Sequence, residues 1–123
     1  MAGAMLKKVN LSHNKLTQIP AEMFEQCVMI ESLILAKNQL DSLPRSLGNL
    51  SKLSELDLSG NRFLDSFLQT NEGAIELSLS LKVLNLAQNQ LTKVPGFAYR
   101  VDTVDLSQNK LSDWNADSFM DFS

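Results

Sequence analysis

Several kinds of residue are nearly missing from this chain. Its 123 residues hold one cysteine, Cys27, and one histidine, His13. A single cysteine excludes an internal disulfide framework. The lone histidine has no cysteine or carboxylate at metal-ligand spacing, so it reads as a surface residue and not as a ligand. Gly48, Gly60, Gly73 and Gly96 are scattered, which excludes a glycine-rich phosphate loop. No apolar run reaches 18 residues, so no membrane-spanning helix is expected. There is no excess of basic residues: 11 Lys and Arg stand against 14 Asp and Glu, a net charge of −3. That balance argues against a nucleic-acid partner. No cofactor is expected.

What the chain does have is a pattern. The sequence apolar-x-x-apolar-x-apolar-x-x-Asn-x-apolar occurs five times. Its copies are Leu6, Val9, Leu11, Asn14, Leu16; Ile30, Leu33, Leu35, Asn38, Leu40; Leu53, Leu56, Leu58, Asn61, Phe63; Leu81, Leu84, Leu86, Asn89, Leu91; and Val101, Val104, Leu106, Asn109, Leu111. All 25 positions are satisfied, and the asparagines are spaced by 24, 23, 28 and 20 residues.

Within each copy the apolar residues alternate with period two, as in Leu33-Ile34-Leu35. Alternation puts the leucines on one face of a strand and the residues between them on the other. A single short strand cannot bury its own apolar face, so successive copies must stack. Each asparagine then falls where the chain turns away from its strand. There its amide can bond the backbone of its own coil and of the neighbouring one, satisfying groups that would otherwise be buried unpaired. The expected ladder is Asn14, Asn38, Asn61, Asn89 and Asn109.

Motif and period together resemble the leucine-rich-repeat family, from residue 6 to about residue 119. The resemblance implies an α/β solenoid, right-handed, with a concave parallel sheet of five short strands. Short helices, turns and loops would fill its convex side. Residues 1–5 read as a leader, in part tag-derived. Residues 6–123 read as one domain, with repeats starting at 6, 30, 53, 81 and 101. Pro20, Pro44 and Pro95 each lie six residues after their asparagine. Proline suits a helix start, so short helical returns are expected after Pro20, with Phe24 and Cys27 turned inward, and after Pro44. Repeat three is longer, and between Asp65 and Ser80 it leaves a loop, a helix or an extended stretch open. Repeat four returns through residues 96–99, too short for a full helix.

Extracellular members of such a family usually close their ends with cysteine clusters, which this chain lacks. Met1 to Val9 carries no signal-type apolar stretch either. The expected compartment is therefore intracellular and cytoplasmic, with nuclear or host-injected placement left open.

The expected binding surface is the concave face, built from columns of outward residues. One column is Lys8, Ser32, Glu55, Val83, Thr103. The next is Asn10, Ile34, Asp57, Asn85, Asp105. A third, Ser12, Ala36, Ser59, Ala87, Ser107, is all small. Lys8, Asn10, Ile34, Glu55, Asp57, Val83, Asn85 and Asp105 are the expected contacts to a protein partner. Glu55 and Asp57 resemble a catalytic carboxylate pair in spacing alone, because an open sheet encloses no substrate. No catalytic residue is assigned and no enzyme activity is expected. The family resemblance implies an adaptor or targeting subunit. The alternative is the recognition region of a larger enzyme or of a secreted bacterial effector. At the ends, two readings compete: self-association through uncapped coils, or a cap made by Trp114, Phe119, Met120 and Phe122.

Overall fold

The computed structural model describes residues 5–66, 81–94 and 101–111. Five three-residue strands form one parallel sheet in chain order: β1 (Lys8–Asn10), β2 (Ser32–Ile34), β3 (Glu55–Asp57), β4 (Val83–Asn85) and β5 (Thr103–Asp105). The register is that of the repeat: Val9, Leu33, Leu56, Leu84 and Val104 stand side by side. The order is strictly sequential, so the sheet is an open solenoid face and not a closed barrel.

The alternating leucines make the core. Leu33, Leu35, Leu56, Leu58, Leu84 and Leu86 are fully buried. The equivalent residues at the two ends, Val9 and Leu11 in β1's coil and Val104 and Leu106 in β5's, are only half-buried. This follows from stacking, because an inner coil is covered from both sides and an outer one from one side.

On the convex side, α1 (Ala21–Gln26) follows Pro20, and a 3-10 turn, Arg45–Asn49, follows Pro44. Both prolines stay extended, with ψ of 139° and 152°, just ahead of the first helical residue. Their carbonyls accept the first helical bonds, from Met23 N–H and Leu47 N–H. Phe24 and Cys27 are buried as expected, and Leu47 joins them. α1 packs against the following 3-10 turn, so the convex layer is stacked as the sheet is. The returns at 67–80 and 95–100, and the aromatic cap at 112–123, lie outside the described residues.

Candidate protein-binding face

The asparagine ladder positions everything else. Asn61 Nδ2 donates to Leu58 O and Ser59 O of its own coil and to Leu35 O of the preceding one. Its Oδ1 accepts the Leu40 N–H of that preceding coil at 3.0 Å. Asn38, Asn89 and Asn109 repeat this set: each donates to three carbonyls, and each Oδ1 accepts from the preceding coil. Asn38, Asn61 and Asn89 are buried, and Asn109 is half-buried. The set is smaller at Asn14. That side chain is exposed and, among the described residues, donates only to Leu11 O and Ser12 O. The cause is geometric: among the described residues no coil precedes it.

The residue before each asparagine falls in the turn, and sequence reasoning missed its backbone conformation. His13, Lys37, Gly60, Gln88 and Gln108 all have positive φ, between 56° and 66°. Four of the five are not glycine, although a left-handed residue with a Cβ costs about 1–2 kcal/mol. The ladder explains their tolerance. Turned this way, four of the five N–H groups continue the interstrand pairing beyond the strand: His13 to Ala36 O, Lys37 to Ser59 O, Gly60 to Ala87 O and Gln88 to Ser107 O. Gly60 was the only signal in the sequence, and its positive φ is what favours glycine there. The Lys37 stem crosses above it, 2.6 Å from where a Cβ on Gly60 would sit, but that stem is the far end of an exposed side chain and can move aside. Lys37 Nζ then reaches Gln88 Oε1, two coils away.

The eight expected contact residues all lie on the strands, in the columns the repeat assigns to them. Four of them also do internal work. Asn10, Asp57, Asn85 and Asp105 each use Oδ1 to accept the N–H two residues on, at Ser12, Ser59, Ala87 and Ser107. Ser12 and Ser59 add their hydroxyls to the same oxygen. These local bonds bend the chain out of the strand. They also explain the column of small residues, which sits under the turn. Ile34 is the one member of its column that cannot make this bond. It is half-buried, and Val83 is 39% exposed.

The middle of the face thus has a defined arrangement. Ile34 stands beside Asp57, and Glu55 beside Val83. Ser32 Oγ donates to Glu55 Oε1 at 2.7 Å. That leaves Glu55 Oε2 and Asp57 Oδ2 without a hydrogen-bond partner among the described residues. Lys8 lies two strands away from Glu55 and is exposed. No cluster of metal-ligating side chains occurs among the described residues, and His13 is exposed in its turn. Among them too, no helix is long and apolar enough to cross a membrane.

Comparison with known proteins agrees with this geometry. Leucine-rich-repeat profiles match residues 4–63 and residues 80–99. The first match begins inside the segment read as a leader. Keratocan from Gallus gallus is 38% identical over 86 residues, which is 69% of this chain and 23% of keratocan. An adenylate cyclase from Podospora anserina is 35% identical over 88 residues, 71% of this chain and 4% of the cyclase. Among solved structures, the leucine-rich-repeat ectodomain of the receptor kinase SOBIR1 from Arabidopsis thaliana superposes with a TM-score of 0.63 at 28% identity. That superposition covers 88% of this chain and 60% of the ectodomain. The chain spans less than a third of either curated relative. Repeat pattern, sheet, ladder and matches together place this chain in the leucine-rich-repeat family.

Proposed function

We propose that this chain is a non-catalytic protein-interaction module whose concave face holds the partner. The observation that carries the reading is the centre of that face. Two outward apolar residues, Ile34 and Val83, flank the carboxylates Glu55 and Asp57 on an open sheet. An open surface of mixed character suits a protein contact, where a few central residues supply most of the affinity. It does not suit a small substrate, which needs an enclosed pocket. The uncommitted oxygens of Glu55 and Asp57 favour a partner that brings a cationic side chain with apolar neighbours. An adaptor or targeting role inside the cell fits this reading. The free, buried Cys27 is compatible with a reducing compartment. The ectodomain among the structural matches shows that the repeat itself sets no compartment.

A second reading has its own support. The match to an adenylate cyclase covers only 4% of that enzyme, so arrays like this one occur as parts of larger enzymes. In that reading the chain selects a substrate for chemistry carried elsewhere.

A crosslinking pull-down from the source cell tests the first reading. The probes are the wild type, a Glu55→Lys/Val83→Glu variant, and a Glu25→Lys control on the convex helix. A partner held by wild type and control but lost by the concave variant is expected. A partner held equally by all three would move the site off this face.

A further inference from the structure

The edge of the sheet where the chain leaves its strands carries one sign of charge. Two columns run along it, one on either side of the asparagine ladder. The first is the left-handed column that holds His13, Lys37 and Gln88. The second is Lys15, Gln39, Arg62, Gln90 and Lys110. Its backbone stacks coil on coil: Gln39 N–H donates to Leu16 O, Arg62 N–H to Leu40 O, Gln90 N–H to Phe63 O and Lys110 N–H to Leu91 O. Neither column holds an acid, although the chain has 14 Asp and Glu against 11 Lys and Arg. Lys15, Arg62 and Lys110 are exposed and make no ion pair among the described residues.

Lys37 completes the row. At these positions the fourth coil has only Gln88 and Gln90. Lys37 passes over Gly60 and gives its Nζ to Gln88 Oε1, so an ammonium from the second coil sits at the fourth. Its acceptor there is a neutral amide, which leaves the charge uncancelled. With coils about 4.8 Å apart, the row from Lys15 to Lys110 is about 19 Å long, the span of about six extended residues.

The neighbouring strip decides what fits such a row. Asp57 lies three residues before Gly60 in the same coil, so their Cα atoms are at most about 11 Å apart. That is close to the Debye length of about 10 Å at 0.1 M salt. Among the described residues, Asp57 Oδ2 and Glu55 Oε2 have no hydrogen-bond partner. A nucleic-acid strand, charged at every residue, would bring phosphates against these carboxylates. A protein segment can keep its acids on one strip and turn its cations to the next.

We propose that an acidic segment of the protein partner, about six extended residues long, lies along this row. Its carboxylates meet Lys15, Lys37, Arg62 and Lys110, while cationic and apolar groups of the same partner fill the concave face. The inference rests on the protein-binding reading above and extends its footprint from the strands to the turns. Lys37 exchanges the Gln88 amide for a carboxylate, a bond between two ions in place of one.

An NMR titration of the whole chain with octaglutamate, read at the backbone amides, tests this. Saturable shifts should centre on Lys15, Lys37, Arg62 and Lys110, and binding should weaken as salt is raised. Lys15→Gln/Arg62→Gln gives coils one and three the residue that coils two and four already carry, and should weaken binding about tenfold. Gln88→Glu should weaken it too, because the new carboxylate holds Lys37 within the chain. Glu55→Lys/Val83→Glu should not weaken it. In the pull-down, Lys15→Gln/Arg62→Gln should reduce capture of the partner. The absence of saturable shifts would overturn the proposal. So would shifts on the strands instead of the turns, equal affinity in wild type and Lys15→Gln/Arg62→Gln, or tighter binding at the turns by an oligothymidylate of the same charge. A partner lost on Glu55→Lys/Val83→Glu, with no octaglutamate bound, would sink this inference alone. Octaglutamate bound at the turns, with a partner indifferent to that variant, would support the row and sink the concave reading alone.

Discussion

The third coil and the first are built from the same motif, yet they are held differently. Leu56 has a neighbouring strand on each side and is fully buried; Val9 has one and is half-buried. Asn61 donates three hydrogen bonds and accepts from the coil before it. Among the described residues, Asn14 donates two, and its Oδ1 accepts none. The motif therefore does not carry a fixed stability per copy. What a leucine or an asparagine contributes depends on whether a coil lies on both sides, as expected when stability is a sum of repeat and nearest-neighbour terms.

The largest separation should come from the core. Leu56→Ala opens a cavity among residues that cannot collapse, at a cost of about 2–5 kcal/mol. Val104→Ala, at a half-covered coil, should cost about 1 kcal/mol or less, since less apolar area is removed. Urea unfolding of both variants would measure this, and equal losses would erase the distinction between inner and outer coils.

The ladder should show the same asymmetry at smaller scale. Asn61→Ala strands the buried Leu40 N–H and takes one of two donors from the Leu35, Leu58 and Ser59 carbonyls, which keep Asn38 Nδ2, Asn89 Nδ2 and the Lys37 N–H, and a loss of roughly 1–3 kcal/mol is expected. Asn14→Ala leaves groups that water can reach, and should cost about 1 kcal/mol or less. Thermal midpoints order the two variants.

Next is the turn column. Gly60→Ala meets the left-handed backbone at φ 66°, and should destabilise by about 1–2 kcal/mol. Combining it with Lys37→Ala should recover little, because the exposed lysine stem can move aside by itself and the backbone strain remains. The smallest effect belongs to the strand exits. Asp57→Asn keeps the oxygen that holds Ser59 and should change stability little, whereas Asp57→Ala should cost about 0.5–1.5 kcal/mol. That pair also serves the interaction reading. If a partner senses the charge of Asp57, Asp57→Asn weakens binding while the fold stays intact.

Much of this was legible in the residues. The five strands, their register and the role of Asn38, Asn61, Asn89 and Asn109 follow from period-two alternation and a repeated amide, and the structure has them as expected. Pro20 and Pro44 marked real helical returns for the same reason: a fixed φ and a missing N–H are local properties. Other features depend on neighbours and were not legible. The left-handed column is filled by His13, Lys37, Gln88 and Gln108, which carry no conformational signature of their own. The double duty of Asn10, Asp57, Asn85 and Asp105 needs the exact exit angle of each strand. The exposure of Asn14 needs knowledge of what lies beside it.

Native-state hydrogen exchange, read amide by amide, tests the position dependence most directly. Leu40 and Phe63 donate to buried asparagine oxygens, at 3.0 Å each, and should exchange only through global opening. Lys8 and Asn10, on the open side of β1, should exchange orders of magnitude faster, near the rate of an unstructured chain. Uniform protection from the first coil to the third would contradict the account, because it would mean that the motif sets stability wherever it falls.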